Sequence, residues 1–433
     1  MRIPRRQFIH TAALGALGCA GAGTTGAGSE SQDDEGLPAA IQALQPMTDG
    51  ITPIADDERR ARIAKAQRLM AEQRLDGIFV EGTTSSDYFV GMRWGQSERT
   101  FGVVIPAQGD VAYVCPKFEE SRALELIRFG NDVRTWEEDE SPFKLIADIV
   151  RDRGVRHHRI GMEERVRYFI AYGVGRDAPD MEVTDATPIT EGCRVYKSPA
   201  EIALMQRAND ATIAAYRAAL STLYEGMPQG ELSANVAAAF RQLGFTGGAS
   251  AQFGQWTALP HGSRTPQTLK EGDVVMIDGG TGAEGYRSDI TRTVVFGQPT
   301  QRQLDIWNLE LEAQNAAFEA ARPGVPCEAV DAAARKVIVD AGFGPGYKTP
   351  GLPHRTGHGI GMDGHEWTNF VKGNKTPLTP GMCFSDEPMI AIPGEFGIRL
   401  EDCIYTTETG ARFFTRQAAA IDDPCPSGEP RAT

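Results

Sequence analysis

Residues 272–296, GDVVMIDGGTGAEGYRSDITRTVVF, run apolar to one aspartate, reverse through glycines and return with a second. The run VVMI closes on Asp278, and Gly279, Gly280, Gly282 and Gly285 supply turn chemistry, so the spacing predicts a β-hairpin. On the returning arm, alternation puts Asp289, Thr291 and Thr293 on one face and Ile290, Val294 and Phe296 on the other. Two acids bracketing such a turn carry a burial and repulsion penalty unless a cation or hydrogen bonds offset it, and a metal ion is the simplest offset. Asp-Gly pairs that only decorate a turn are common, so one hairpin leaves the two readings about even.

The plan recurs in residues 381–405, GMCFSDEPMIAIPGEFGIRLEDCIY. Glu387 lies on one arm, Pro393-Gly394 turns the chain, and Glu401 lies on the other. Arg399 shares parity with Glu401, while Ile398, Leu400 and Ile404 take the opposite parity, so Arg399 is expected to face the acids. Between the hairpins runs HRTGHGIGMDGHE, with His354, His358 and His365. The 354/358 spacing is that of a helical zinc motif, but Gly357, Gly359, Gly361 and Gly364 disfavour a helix. A loop that brings backbone close to an ion is the better reading. Four carboxylates and an imidazole form a hard donor set, suited to Mn²⁺, Co²⁺ or Zn²⁺.

The 433 residues suggest two or three domains, and a net charge of -14 argues against nucleic acid or anionic lipid as partner. The opening MRIPRRQFIHTAALGALGCAGAG, with Arg5-Arg6 before a weakly apolar run, reads as a twin-arginine export signal to the periplasm. Cys19 within it offers a lipoprotein anchor as the minority reading. No stretch is apolar and long enough for a transmembrane span. Residues 29–54 lack periodicity and read as a flexible linker, and residues 421–433 as a frayed tail. From Asp57 onward, helical spacing alternates with the apolar runs GIFV, FGVVI and VAYV, which predicts an α/β layer domain. Ser198-Pro199-Ala200-Glu201 is a capping box that opens a helix and a second domain. The cysteines show no metal-like spacing, and Cys383 and Cys403 fall out of direct opposition on the second hairpin, so buried free thiols are expected.

Taken together, Asp278, Asp289, His358, Glu387 and Glu401 in this order resemble the ligand set of the pita-bread metallopeptidases, which include methionine aminopeptidase, prolidase and aminopeptidase P. The resemblance implies an α/β creatinase-like N-terminal domain over 55–195, following an export signal over 1–28, and an α+β pita-bread catalytic domain over 196–420. It implies two divalent ions, manganese foremost, with Asp278 binding one, Asp289 and Glu401 bridging, and His358 and Glu387 binding one each. Glu387 would also accept the proton of the attacking water. His261 and His365 match the family's catalytic histidines, and His354 and Arg399 its substrate-binding groups. A homodimer acting on short peptides, at Xaa-Pro bonds, is implied as well. His365-Glu366-Trp367-Thr368 lacks the proline that proline-directed members carry after the His-Glu pair, so the neighbouring subsite departs from the family pattern. A non-peptide hydrolase or lyase on the same scaffold is the alternative, although the lyases' extra aspartate is replaced here by Gly280. Dipeptidase and aminopeptidase both stay open.

Overall fold

The computed structural model describes residues 36–433, so Arg5-Arg6 and Cys19 of the export reading lie outside the described residues. The N-terminal domain is built on a six-stranded sheet in the order 132–136, 112–116, 102–106, 77–81, 159–162, 182–185. Its central strand, Gly77–Glu81, explains the apolar run: Ile78 and Val80 face a core with Met70 and Phe89, while Phe79 faces another with Ile146 and Val150. A strand covered on both faces reads as continuously apolar rather than alternating. Helix Asp56–Gln73 begins within a residue of its expected start and carries three acids in its first turn, where the helix dipole favours negative charge.

The second domain opens where the capping box predicts. Ser198 Oγ accepts from Glu201 N at 3.2 Å, Glu201 Oε2 accepts from Ser198 N at 2.7 Å, and helix Pro199–Leu220 follows. Two similar halves then succeed each other. Helices Pro199–Leu220 and Gln229–Gln242 precede the sheet 290–295, 274–280, 248–253; helices Gln301–Ala320 and Cys327–Asp340 precede the sheet 366–370, 357–359, 383–386, 402–406, 411–413. This is the α/β domain plus α+β pita-bread arrangement expected. A bridge between Thr291 and Glu401 ties one sheet to the other.

Two expectations are corrected. Within the stretch read as a flexible linker, Ile41 is fully buried in the same core as Phe240 and Tyr216, Met47 N donates to Leu243 O at 2.9 Å, and Ile54 is buried. Pro38, Pro46, Gly50 and Pro53 interrupt any sustained periodicity there, yet the apolar residues dock on a surface made far away in sequence. The segment expected to fray likewise packs: Ile421 and Cys425 are buried, and Pro424 O accepts from Arg292 Nε at 2.6 Å. Arg292 is fully buried, and its donors require acceptors that the tail backbone provides.

Candidate metal centre

The first hairpin pairs 274–280 with 290–295 so that Asp278 lies across from Thr291. The second hairpin is less regular, and its irregularity makes the site. Asp386 pairs with Asp402 and Met389 with Arg399, so the same register carried through the gap sets Glu387 directly across from Glu401. Pro388 follows Glu387 and has no N–H to give the ladder, which opens at this point. The freed donors go elsewhere: Glu387 N donates to Thr356 O at 2.9 Å and Glu401 N to Thr291 O at 3.2 Å. One break thus ties the second hairpin to both the histidine loop and the first hairpin.

His358 sits in the short strand Gly357–Gly359, not in a helix. A Cβ on Gly357 would lie 2.1 Å from Ser385 O, and one on Gly359 2.3 Å from Trp367 O, so only glycine permits this approach. Nδ1 of His358 lies 3.0 Å from Gly359 O, a carbonyl that can only accept, so Nδ1 carries a proton and Nε2, which a proton can occupy in the metal-free protein, is the nitrogen a metal would take. That Nε2 lies 3.1 Å from Glu387 Oε1 and 3.9 Å from Asp289 Oδ2. Ligand atoms of His358, Glu387 and Glu401 lie within 4.8 Å of one another, and so do those of Asp278, Asp289 and Glu401. All five residues singled out as ligands therefore converge, with Glu401 shared between the two trios. Asp289, His358 and His365 form a third such group.

The electrostatics test whether a cation fits. Burial, then repulsion from Asp278 and Glu387, pushes the Asp289 carboxyl up to about 7, and burial with Asp289 and Glu387 pushes Glu401 well above the carboxylate range. Burial also opposes ionisation of Glu387, but the hydrogen bond and charge of His358 outweigh it and hold that carboxyl low. Among the described residues one arginine bonds these carboxylates, Arg399, whose Nη2 donates to Asp278 Oδ2 at 2.6 Å. Thr291, at 2.6 Å from Glu401 Oε2, adds a hydroxyl donor. One arginine does not balance four clustered carboxylates, so a divalent cation fits this donor set.

Beside the centre lies a cavity of about 310 Å³. His261, His354, His365 and Arg399 all line it, together with His358 and Glu387. The structure thus brings together every residue singled out as a ligand, catalytic group or substrate-binding group. Arg399, expected as a substrate clamp, turns out to be 3% exposed, with Nε on Thr291 Oγ1 at 3.0 Å and Nη1 on Pro260 O at 2.9 Å. Its geometry is that of a group positioning Asp278. Sequence reasoning missed Arg355, which also lines the cavity. Its neighbour in the motif, His354, was the only residue of the pair that the family pattern marked.

A second omission is the ionic support of the His365 loop. Glu366 Oε1 accepts from Arg194 Nη2 at 2.5 Å and from Met362 N at 2.9 Å, and Oε2 accepts from Lys197 Nζ at 2.8 Å. Arg194 belongs to the N-terminal domain and also reaches Asp363 Oδ2 at 2.7 Å, so this network locks one domain onto the catalytic loop of the other. Burial opposes the Glu366 charge, but Arg194 and Lys197 outweigh it and depress its pKa from 4.5 to about 2. A depressed acid contributes stability fully above its unfolded pKa and loses it as pH falls through the folded value. Glu366→Ala is therefore expected to destabilise the fold by about 3–5 kcal/mol near neutral pH, because Lys197 loses its ion-pair partner in a buried site and Arg194 keeps only Asp363. Denaturant unfolding checks this; the difference from wild type should shrink between about pH 4.5 and pH 2, and a loss below about 1 kcal/mol at pH 7 would refute the network's role.

A two-domain chain whose mirrored halves direct four carboxylates and a histidine to one point defines a metal-dependent hydrolase of the pita-bread class. Residues 203–408 match the metallopeptidase family M24 and residues 62–196 the creatinase/prolidase N-terminal domain. The chain is 33% identical to the Xaa-Pro dipeptidase of Lactobacillus helveticus over 362 residues, covering 81% of this chain and 95% of that one. It is 34% identical over 358 residues to the probable dipeptidase PepE of Mycobacterium tuberculosis, covering 81% and 92%. Among solved structures, dipeptidase PepE from Mycobacterium ulcerans superposes with a TM-score of 0.77 at 30% identity, covering 84% of this chain and 97% of that one. Prolidase from Thermococcus sibiricus gives 0.75 at 27% identity, covering 84% and 98%. The chain belongs to metallopeptidase family M24.

Proposed function

We propose that this metallopeptidase hydrolyses Xaa-Pro peptides at a centre of two divalent ions, manganese foremost among manganese, cobalt and zinc. The observation that carries the reading is the pair of ligand trios sharing Glu401 beside a cavity of about 310 Å³. That volume is at the small end of ligand sites, which run from about 300 to 1,000 Å³, and suits a short peptide. Relatives named Xaa-Pro dipeptidase support the bond preference. Asp278, Asp289, His358, Glu387 and Glu401 would hold the ions, which when bound supply Lewis acidity that acidifies water and polarises a carbonyl.

The remaining work falls to the chain's own groups. Glu387, held by Ser385 Oγ at 3.0 Å, takes the proton from the attacking water and passes it toward the leaving nitrogen. His261, exposed at the rim, assists that transfer. His365 Nδ1 faces an Arg355 Nη2 donor at 3.4 Å, so its proton is on Nε2, which donates to the oxygen of the scissile carbonyl. His354 Nδ1 lies 2.7 Å from Arg355 O, which leaves Nε2 as an acceptor at the cavity wall. A bond before proline has no N–H on its nitrogen, so the site needs a proton donor there and no acceptor.

With Mn²⁺ saturating, Ala-Pro is expected to be cleaved at least about tenfold more efficiently than Ala-Ala, a difference of roughly 1.4 kcal/mol in transition-state binding. Comparable kcat/KM for the two would end the proline assignment and leave the metallopeptidase intact. Export of the folded protein is proposed from Arg5-Arg6. Replacing both arginines with lysine is expected to retain the enzyme in the cytoplasm, and fractionation showing unchanged export would refute this.

A further inference from the structure

Arg292 is fully buried, and each nitrogen of its guanidinium is spent on a different part of the fold. Nη1 donates to Glu401 O at 2.8 Å and to Thr291 O at 3.0 Å. Nη2 donates to Asp402 Oδ1 at 2.6 Å, and Nε to Pro424 O at 2.6 Å. Glu401 is the acid common to both ligand trios, and the Thr291 hydroxyl donates to its Oε2. One side chain therefore joins the C-terminal tail to the backbone of a candidate ligand and of the residue that orients that ligand's carboxylate.

A guanidinium is planar, so fixing two of its nitrogens fixes where the third points. Asp402 holds Nη2 and the tail holds Nε, and the direction of Nη1 toward Glu401 O and Thr291 O follows from both. The tail is held in turn by groups outside the donor set. Arg217, on helix Pro199–Leu220, donates through Nε and Nη2 to Cys425 O at 3.1 and 2.7 Å. Ile421 is buried in the core that also holds Trp307 and Phe318. Residues 431–433 then run antiparallel along strand 411–413, with Phe413 N donating to Arg431 O at 3.0 Å and Thr433 N to Ala411 O at 2.9 Å. That strand is the outer edge of the sheet that carries His358, and an edge strand offers N–H and C=O groups that an extended segment can take up. The tail lies beyond residue 408, where the match to family M24 ends, and none of the five candidate ligands belongs to it.

We propose that the tail, residues 417–433, is a latch on the metal centre: docked, it sets the plane of Arg292 and through it the backbone at Glu401 and Thr291, and so raises the affinity for the divalent cation. When the tail lifts, Nε loses its acceptor and the constraint on Glu401 O and Thr291 O is relaxed. Groups that position ligands from outside the coordination sphere command about 10–100-fold in metal affinity. Such coupling is reciprocal, so metal at the centre holds the tail down by the same factor by which the docked tail tightens metal. The latch needs a metal at the centre and is independent of which peptide bond is cleaved.

The first test uses the unaltered full chain. Hydrogen exchange read by mass spectrometry at the amides of Phe413 and Thr433 is expected to slow by about 10–100-fold when chelator-treated protein is loaded with Mn²⁺. Unchanged exchange there, in protein shown by metal analysis to be loaded, overturns the latch. The second test loosens the tail without touching Arg292 or a candidate ligand. Ile421→Asp puts a charge into the core, and Arg431→Glu removes the bonds to Asn315 and Glu319, at 2.6 Å each, from the protein surface, where a change leaves the fold intact. Mn²⁺ affinity, read by competition with a chromogenic chelator, is expected to weaken by about 10–100-fold in Ile421→Asp and by less in Arg431→Glu, in step with faster exchange at Thr433. A tail with only a structural role would lower unfolding stability in both variants yet leave the Mn²⁺ affinity of the folded protein within about twofold of wild type, and that result also overturns the latch. Wild type that binds no divalent cation would overturn the metal centre itself, and the latch with it.

Discussion

Glu387→Gln is expected to lower kcat by about 10²–10⁴-fold while KM moves by no more than a few-fold. The amide keeps the shape of the side chain, and Ser385 Oγ, 3.0 Å from Oε1, still has an oxygen to bond. What is lost is the proton acceptor. In the metal-free protein the His358 hydrogen bond and charge outweigh burial and keep Glu387 ionised; in the loaded protein, where His358 Nε2 would bind a metal, the divalent charge would do so. Steady-state kinetics run alongside metal analysis checks this. Turnover within about threefold of wild type, at unchanged metal content, would mean that another group is the base.

Asp289→Asn is expected to act in opposite directions with and without metal. Loaded protein should lose metal and turnover together, by more than the roughly 10–100-fold that outer-shell partners alone command. Metal-free protein should gain stability at pH 8. Burial and the neighbouring acids raise the Asp289 pKa from 3.8 to about 7, so the metal-free fold favours the protonated form. Such a group makes stability fall as pH rises through this range, with the full penalty above about 7 and none below about 4. The shift corresponds to on the order of 2–4 kcal/mol, which asparagine would remove. Thermal unfolding of chelator-treated wild type and variant at pH 4 and pH 8 reads this directly. Unchanged metal content with full turnover would sink the bridging role, and equal metal-free stability at pH 8 would show that the carboxylates are not held in repulsion.

Much of the site could be read because the features involved are local. Alternation along a strand places Asp289, Thr291, Arg399 and Glu401 without reference to anything distant, and the capping box at Ser198 needs only four consecutive residues. The glycines around His358 announced a close backbone approach, and the structure shows the carbonyls they approach, Ser385 O and Trp367 O. The register of the second hairpin likewise predicted that Cys383 and Cys403 are not directly opposed; Cys383 pairs with Tyr405 and Cys403 with Ser385, and all the described cysteines are buried and free.

What the chain alone determined, then, is the inventory and its facing: which acids and imidazoles share one side of which strand, and hence that a hard cation belongs among them. Tertiary structure decided who spends which hydrogen bond. Arg399 and Arg355 look alike in sequence, yet one is consumed by Asp278, Thr291 and Pro260 and the other touches only His365. Glu366, unremarkable beside His365, acquires Arg194 and Lys197 across the domain junction. Residues 37–54 are broken by Pro38, Pro46, Gly50 and Pro53, residues 421–433 carry few apolar side chains, and both are ordered by surfaces assembled elsewhere. Periodicity is a property of neighbours in the chain, whereas desolvation and partner choice depend on groups brought together only by folding.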